Sequence, residues 1–136
     1  MKIVPIEEIR VGDSAEITKR MSLEMVTAFA GISEDFNPVH LDAEYASKSR
    51  YRAQIIHGLM ASSLFSGLFG TQLPGEGCVY KSQNIRFKRP IYVGDEVTAR
   101  VEVANVDVNK KVISFTTRCL VNGKVMIDGE SEIFVP

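Results

Sequence analysis

The sequence predicts an α+β domain in which an antiparallel sheet wraps one long, buried helix. Two patterns carry that prediction. The run "QIIHGLMASSLFSGLFG" has Ile55, Ile56, Leu59, Met60, Leu64, Phe65, Leu68 and Phe69 spread over most of a helical circumference, and a helix apolar nearly all round is a buried one. After it the apolar period changes from helical to two, in four runs separated by short turns, and short turns favour antiparallel strands. A sheet with one apolar face needs a cover, and the most apolar helix is the candidate.

The elements follow in chain order. "SLEMVTAFAGISED" places Met25, Val26, Phe29 and Ile32 on one helical face, with Ser22 at the N-cap and Glu24 in the first turn. Pro38 stops that helix by disfavouring α conformation at Asn37. A second short helix is expected over "DAEYASKS", capped by Asp42. Within the long helix, Gly58, Ser62 and Ser66 recur every four residues as a narrow small-residue stripe, and "LPGEG" ends it. The strand-like runs are "YKSQNIRFKRP", "DEVTARVEVANV", "KVISFTTRCLV" and "KVMIDGESEIFV". Asn122-Gly123 signals a type I′ hairpin, and with "DVNKK" the three connections read as a four-strand meander. "VGD" at Val11 and at Val93 reads as a tight turn before a strand-like run in each case.

Composition bounds the function. The chain has 136 residues, the size of one domain spanning 1–136, with a formal net charge of −1. Evenly signed charge argues against a nucleic-acid binder driven by bulk electrostatics. The long apolar run is too short and too interrupted by Ser and Gly to span a bilayer. "MKIVPIEEIRVGD" has neither a long apolar core nor a small-residue cleavage site, so no signal peptide is expected. Cys78 and Cys119 lack metal-ligand spacing and read as reduced thiols of a cytoplasmic protein.

Three stretches carry possible chemistry. "SEDFNPVH" holds Asp35, Asn37 and His40 around a proline. By itself it reads first as a helix-ending turn, for which Asp, Asn and Pro are suited. The alternative is a carboxylate and an imidazole aimed from adjacent turns at one water, an acid/base arrangement. "IIHGL" puts His57 and Gly58 at the head of the buried helix, where free N–H groups and the positive dipole end favour a developing oxyanion; close backbone packing is the plainer reading. Ser66 reads as helix packing or as a hydrogen-bond partner of a site. "IRFKRP" places Arg86, Lys88 and Arg89 near a strand end, as a solvated face or as contacts for the phosphates of a coenzyme A ligand. There is no Gly-rich phosphate loop, no "GxSxG" elbow and no metal-ligand cluster in the sequence pattern.

Together, "DFNPVH" and "IIHGLMASSLFSGL" resemble the MaoC-like (R)-specific enoyl-CoA hydratases of the hot-dog fold, and most of all the small bacterial members that supply polyhydroxyalkanoate precursors. The likeness runs from "VGDSAEITKR" to the final strand. The motif Asp-x-Asn-Pro-x-His is intact; the glycine often found before its aspartate is Glu34 here. The resemblance implies that Asp35 and His40 are the acid/base pair, that Asn37 orders the site, that the Gly58 N–H is the oxyanion donor, and that Ser66 hydrogen-bonds near the aspartate. It also implies an acyl-CoA substrate and a homodimer with its sheets joined edge to edge. No metal or redox cofactor is expected, because the thioester is itself the electron sink. The alternatives are an acyl-CoA thioesterase, a 3-hydroxyacyl-carrier-protein dehydratase, or a non-catalytic acyl-CoA-binding domain.

Overall fold

A computed structural model describes residues 3–136. Five antiparallel strands, β1 (Ser14–Arg20), β2 (Val79–Phe87), β3 (Glu96–Asp107), β4 (Val112–Val121) and β5 (Lys124–Phe134), form one sheet in the order β1-β3-β4-β5-β2. A 3-10 turn (Ile6–Glu8) and four α-helices precede β2: α1 (Leu23–Ser33), α2 (Pro38–Leu41), α3 (Ala43–Ser47) and α4 (Gly58–Thr71).

The inward residues of β3 are Val97, Ala99, Val101 and Val103, all buried, and those of β4 include Ile113, Phe115 and Cys119. Met60, Ala61, Phe65, Leu68 and Phe69 of α4 join them in one hydrophobic core. The α4 helix therefore covers the apolar face of the sheet, as the alternating pattern requires. It is not buried all round, however: Leu59, Ser63, Ser66, Gly67 and Thr71 are exposed on its outer face. Its start also differs from the expected one. Ile55 and Ile56 lie before the helix in extended backbone, because the Ile56 N–H donates to the Ile91 carbonyl (2.8 Å) and the Val93 N–H to the Gln54 carbonyl (3.1 Å).

Those bonds also explain why the four-strand meander shrinks to three strands. After β2 the N–H groups of Lys88 and Arg89 both donate to the Met126 carbonyl of β5. The chain then crosses to the Gln54–Ile56 segment instead of folding back on itself. β3, β4 and β5 do form a meander, and its second turn has Asn122 and Gly123 at φ 50° and 78°, the left-handed pair that a type I′ turn needs. β2 instead pairs with β5 at the sheet edge, with Ile85 opposite Gly129, and is exposed along most of its length.

The helix boundaries have local causes. The Ser22 hydroxyl accepts from the Met25 N–H at 3.2 Å. α1 ends with Glu34 in the left-handed region at φ 63°, a position where glycine carries no steric penalty and glutamate does. Ile32, expected on the inner face of α1, is exposed, while Val26 and Ala30 are buried. Pro38 opens α2 at its first position, and the Asn37 side chain caps it by accepting from the Val39 N–H at 3.3 Å. Asp42 caps α3 in the same way, at 3.0 Å from the Tyr45 N–H. His40 thus lies inside a one-turn helix that the sequence pattern does not separate from α3.

The β2–β5 pairing depends on a missing side chain. A Cβ on Gly129 would run into the Asn84 carbonyl group across the ladder. Gly129→Ala is therefore expected to destabilise the fold by about 1–3 kcal/mol, as overpacking does. Gly31→Ala, where a Cβ meets nothing within 4 Å on an exposed helix face, is expected to stabilise it by about 0.5–1 kcal/mol. Urea denaturation at one fixed protein concentration checks both; equal midpoints would contradict the packing argument.

Candidate active site

The break between α1 and α2 and the head of α4 meet at one place. His40 is buried, and its Nδ1 lies 2.7 Å from the Ile55 carbonyl oxygen. A carbonyl can only accept, so Nδ1 carries the hydrogen and Nε2 presents its lone pair in the neutral ring. The same short segment holds the backbone of His40: the Gln54 side-chain amide donates to the His40 carbonyl (2.8 Å) and the Ile55 N–H to the Val39 carbonyl (3.3 Å). Asp35 is fixed from within its own loop. Its N–H donates to the Ser33 hydroxyl at 3.2 Å, and its Oδ1 accepts from the Asn37 N–H at 3.1 Å.

These constraints leave Asp35 Oδ2 3.9 Å from His40 Nε2. That is too long for a direct hydrogen bond and is a separation at which a bridging water has to be considered. Asp35 is half exposed and His40 nearly buried, so the carboxylate lies on the open side and the imidazole on the protein side. His57 lies under both. Its Nε2 is 3.0 Å from the Asp35 carbonyl oxygen and 3.9 Å from Asp35 Oδ2, and its ring stacks on His40 with centroids 4.0 Å apart. The Phe29 ring of α1 lies 5.0 Å from that of His57, tilted by 56°.

Asp35, His40 and His57 also form a cluster whose ligand atoms lie within 4.8 Å of one another. Three such groups can hold a transition metal in principle. Here the His57 Nε2–H is turned to the Asp35 carbonyl and has no lone pair to offer, so the cluster suits proton handling better than metal binding.

Gly58 opens α4, and the N-cap residue, His57, makes no side-chain capping hydrogen bond. The Phe87 ring lies over Gly58: an added Cβ would come within 2.5 Å of two ring carbons. His40, Gly58 and Phe87 line two adjoining cavities. One, of about 330 Å³, also contains Asp35, His57 and Leu59. The other, of about 370 Å³, is rimmed by Arg50, Lys88 and Arg89, with Tyr51 and Ile56 deeper in its wall. A carboxylate–imidazole pair and a helix end therefore lie beside a cavity with a cationic rim.

The predicted site residues divide accordingly. Asp35, His40, His57 and Gly58 come together, while Asn37 lines neither cavity, its side chain capping α2 and its N–H bonding Asp35 Oδ1. Lys88 and Arg89 reach the second cavity, although Lys88 also pairs with Asp128 at 3.1 Å and Arg89 donates to the Val125 carbonyl at 3.0 Å. Arg86 does not line either cavity; the pleat turns it to the opposite face of β2 from Phe87. Ser66 is on the exposed face of α4, two turns beyond Gly58, and does not line the cavity that holds Asp35 within one chain. Arg50 and Phe87 are additions. Arg50 lies in "SKSRYR", an unremarkable basic stretch. Phe87 sits inside "IRFKRP", where the charges draw the eye.

Residues 8–125 match the MaoC like domain family. The chain is 44% identical over 131 residues to an (R)-specific enoyl-CoA hydratase from Aeromonas caviae, covering 96% of this chain and 98% of that protein. It is 41% identical over 130 residues to another from Rhodospirillum rubrum, covering 96% and 90%. A solved structure of an A. caviae (R)-hydratase involved in PHA biosynthesis superposes with a TM-score of 0.93, at 44% identity, over 96% of this chain and 99% of that one. The chain belongs to the MaoC-like family. Its α4 and wrapped sheet are accordingly the central helix and sheet of the hot-dog fold.

Neither cysteine is placed for nucleophilic catalysis. Burial pushes the Cys119 thiol up to about 12, and burial also raises Cys78, offset in part by backbone hydrogen bonds. Neither lines the cavity that holds Asp35. A thiol-reactive dye added to native protein is expected to label Cys119 only on unfolding and Cys78 slowly. Prompt labelling of both would contradict this placement.

Proposed function

We propose that the protein catalyses the reversible addition of water to a trans-2-enoyl-CoA, giving an (R)-3-hydroxyacyl-CoA. The observation that carries this reading is the 3.9 Å gap between Asp35 Oδ2 and His40 Nε2 beside an uncapped helix end at Gly58. The near full-length likeness to (R)-specific enoyl-CoA hydratases supports it.

In this mechanism the thioester carbonyl accepts a hydrogen bond from the Gly58 N–H. The positive end of α4 stabilises the enolate oxygen as it forms, and one such donor contributes about 2.7–4 kcal/mol to lowering the barrier. A water held between Asp35 and His40 adds its hydroxyl group to the β carbon. The remaining proton passes through the pair to the α carbon on the same face, so the net change is addition of H and OH across the double bond. Asn37 keeps Asp35 in place through its N–H bond to Oδ1. No metal or redox group takes part in these steps. Lys88 and Arg89, with Arg50, offer cations for the coenzyme A phosphates.

The reading includes a homodimer, supported by the edge position of β2 and by exposed Leu59, Val79 and Phe87, since an unpaired edge strand is a template for pairing. In such a dimer the open face of α4, with Ser66, is available to a second copy. Among the described residues no helix is long and apolar enough to cross a membrane. The reading places the protein in the cytoplasm, where its two free thiols are at home.

The enoyl-thioester absorbance of crotonyl-CoA reports the reaction directly. Asp35→Asn and His40→Ala are each expected to cut kcat by roughly 10²–10⁴-fold, the usual contribution of acid/base groups, with unchanged circular dichroism. Near-wild-type turnover in either would sink the assignment. A carrier-protein enzyme would instead ignore crotonyl-CoA, and a thioesterase would release free thiol from it. Gly58→Ala is expected to fold, because the ring it displaces is an exposed side chain, and to lose roughly 10²–10³-fold in kcat as the donor is obstructed. Full activity in that variant would remove Gly58 from the mechanism.

A further inference from the structure

His57 occupies the N-cap of α4, a position that Ser, Thr, Asp or Asn fills when helix stability alone decides. It makes no capping hydrogen bond. Its ring turns away from the helix and is 3% exposed, with Nε2 3.0 Å from the Asp35 carbonyl oxygen. Its Nδ1 is buried without a partner among the described residues. A buried imidazole that leaves one nitrogen unpaired and forgoes the cap is oriented by what its other nitrogen does. Where a sequence breaks a local stability rule in this way, function is the usual cause.

We propose that His57 is a positioning residue for the hydration reaction, tying Asp35 and His40 to the helix end that carries Gly58. Three contacts define the role. The Nε2–H donated to the Asp35 carbonyl anchors a half-exposed loop whose other hydrogen bonds are internal to it. The stack on His40, at 4.0 Å and 29° between planes, fixes the ring plane of the second member of the pair. Because the side chain does not cap α4, it does not compete with a ligand oxygen for the first N–H groups of the helix. His57 and Gly58 are consecutive, so one peptide unit couples the pair to the oxyanion donor. This goes beyond a contact with substrate, and it rests on Asp35 and His40 being the acid/base pair.

The position separates two amides cleanly. Gln at 57 can place an amide N–H near the Nε2 site and keep the bond to the Asp35 carbonyl. Asn can reach only the Nδ1 site, and it is a strong helix cap. His57→Asn and His57→Phe are expected to lower kcat by roughly 10- to 100-fold with a smaller change in KM, while His57→Gln stays within a few-fold of wild type, as for residues that orient a reacting group. A side chain that merely filled space would be replaced best by Phe, so a Phe variant more active than the Gln variant would overturn the proposal. If Asp35→Asn and His40→Ala were themselves active, the acid/base reading would fail first, which keeps the two failures distinct. A measurement on the unaltered protein stands apart from folding of any variant. The chain has two histidines, so long-range ¹⁵N imidazole spectra resolve both. The expected tautomers are Nε2–H for His57 and Nδ1–H for His40. An Nδ1–H tautomer at His57 would refute the anchor to Asp35.

Discussion

The site depends first on the hydrogen bond from His40 Nδ1 to the Ile55 carbonyl, 2.7 Å long and made by a side chain with little exposure to water. Breaking it would strand a buried donor, a cost of about 1–3 kcal/mol, so the ring has one orientation. That orientation sets which nitrogen faces Asp35. It also joins the only turn of α2 to the extended segment before α4. The segment in turn is laced to Ile91 and Val93, which lead into β3. A bond between one imidazole and one carbonyl therefore ties the helical half of the chain to the sheet at the place where chemistry is proposed.

The second constraint is topological. α4 must end its N-terminus under the α1–α2 break, and the sheet decides where that is. Phe65, Leu68 and Phe69 anchor the helix on the inward residues of β3 and β4, each of which contributes about 1.5–3 kcal/mol of hydrophobic burial as an upper estimate. The head of the helix is left without a side-chain cap. A stable core thus carries an unfinished helix end, and in the proposed mechanism that end is where the oxyanion binds. Loops carry Asp35 and the cationic rim, while rigid elements fix His40, His57 and Gly58. This division matches the general arrangement in which scaffolds hold function on their connections.

Much of this was legible in the residues. Ser22, Pro38, Asp42 and Asn122-Gly123 act through local physics, and each appears where that physics puts it. Asp35, Asn37, His40 and Gly58 read alone as a helix-ending turn and a close-packing glycine; only the two stretches together, through their resemblance to a family, single them out. What could not be read was non-local. β2 pairs with β5 instead of β3 because hydrogen bonds from Ile56 and to Gln54 claim the connecting segment, and no turn signal encodes that. The apolar pattern of α4 does not say which of its faces the sheet will leave open, so Leu59 and Ser66 read as interior or site residues. Arg86 and Phe87 exchange importance through the strand pleat alone. The tautomers of His40 and His57 follow from two carbonyl positions that only the fold supplies.

The central claim is that a single water, held on one side of the substrate by Asp35 and His40, supplies both the hydroxyl and the proton. Hydration of crotonyl-CoA in deuterium oxide tests it most directly, with the configuration at both new centres of the 3-hydroxybutyryl product determined by NMR. The account predicts one diastereomer, (R) at carbon 3, with deuterium at carbon 2 delivered to the same face as oxygen. An (S) centre at carbon 3, delivery of deuterium to the opposite face, or a mixture at carbon 2 would contradict it.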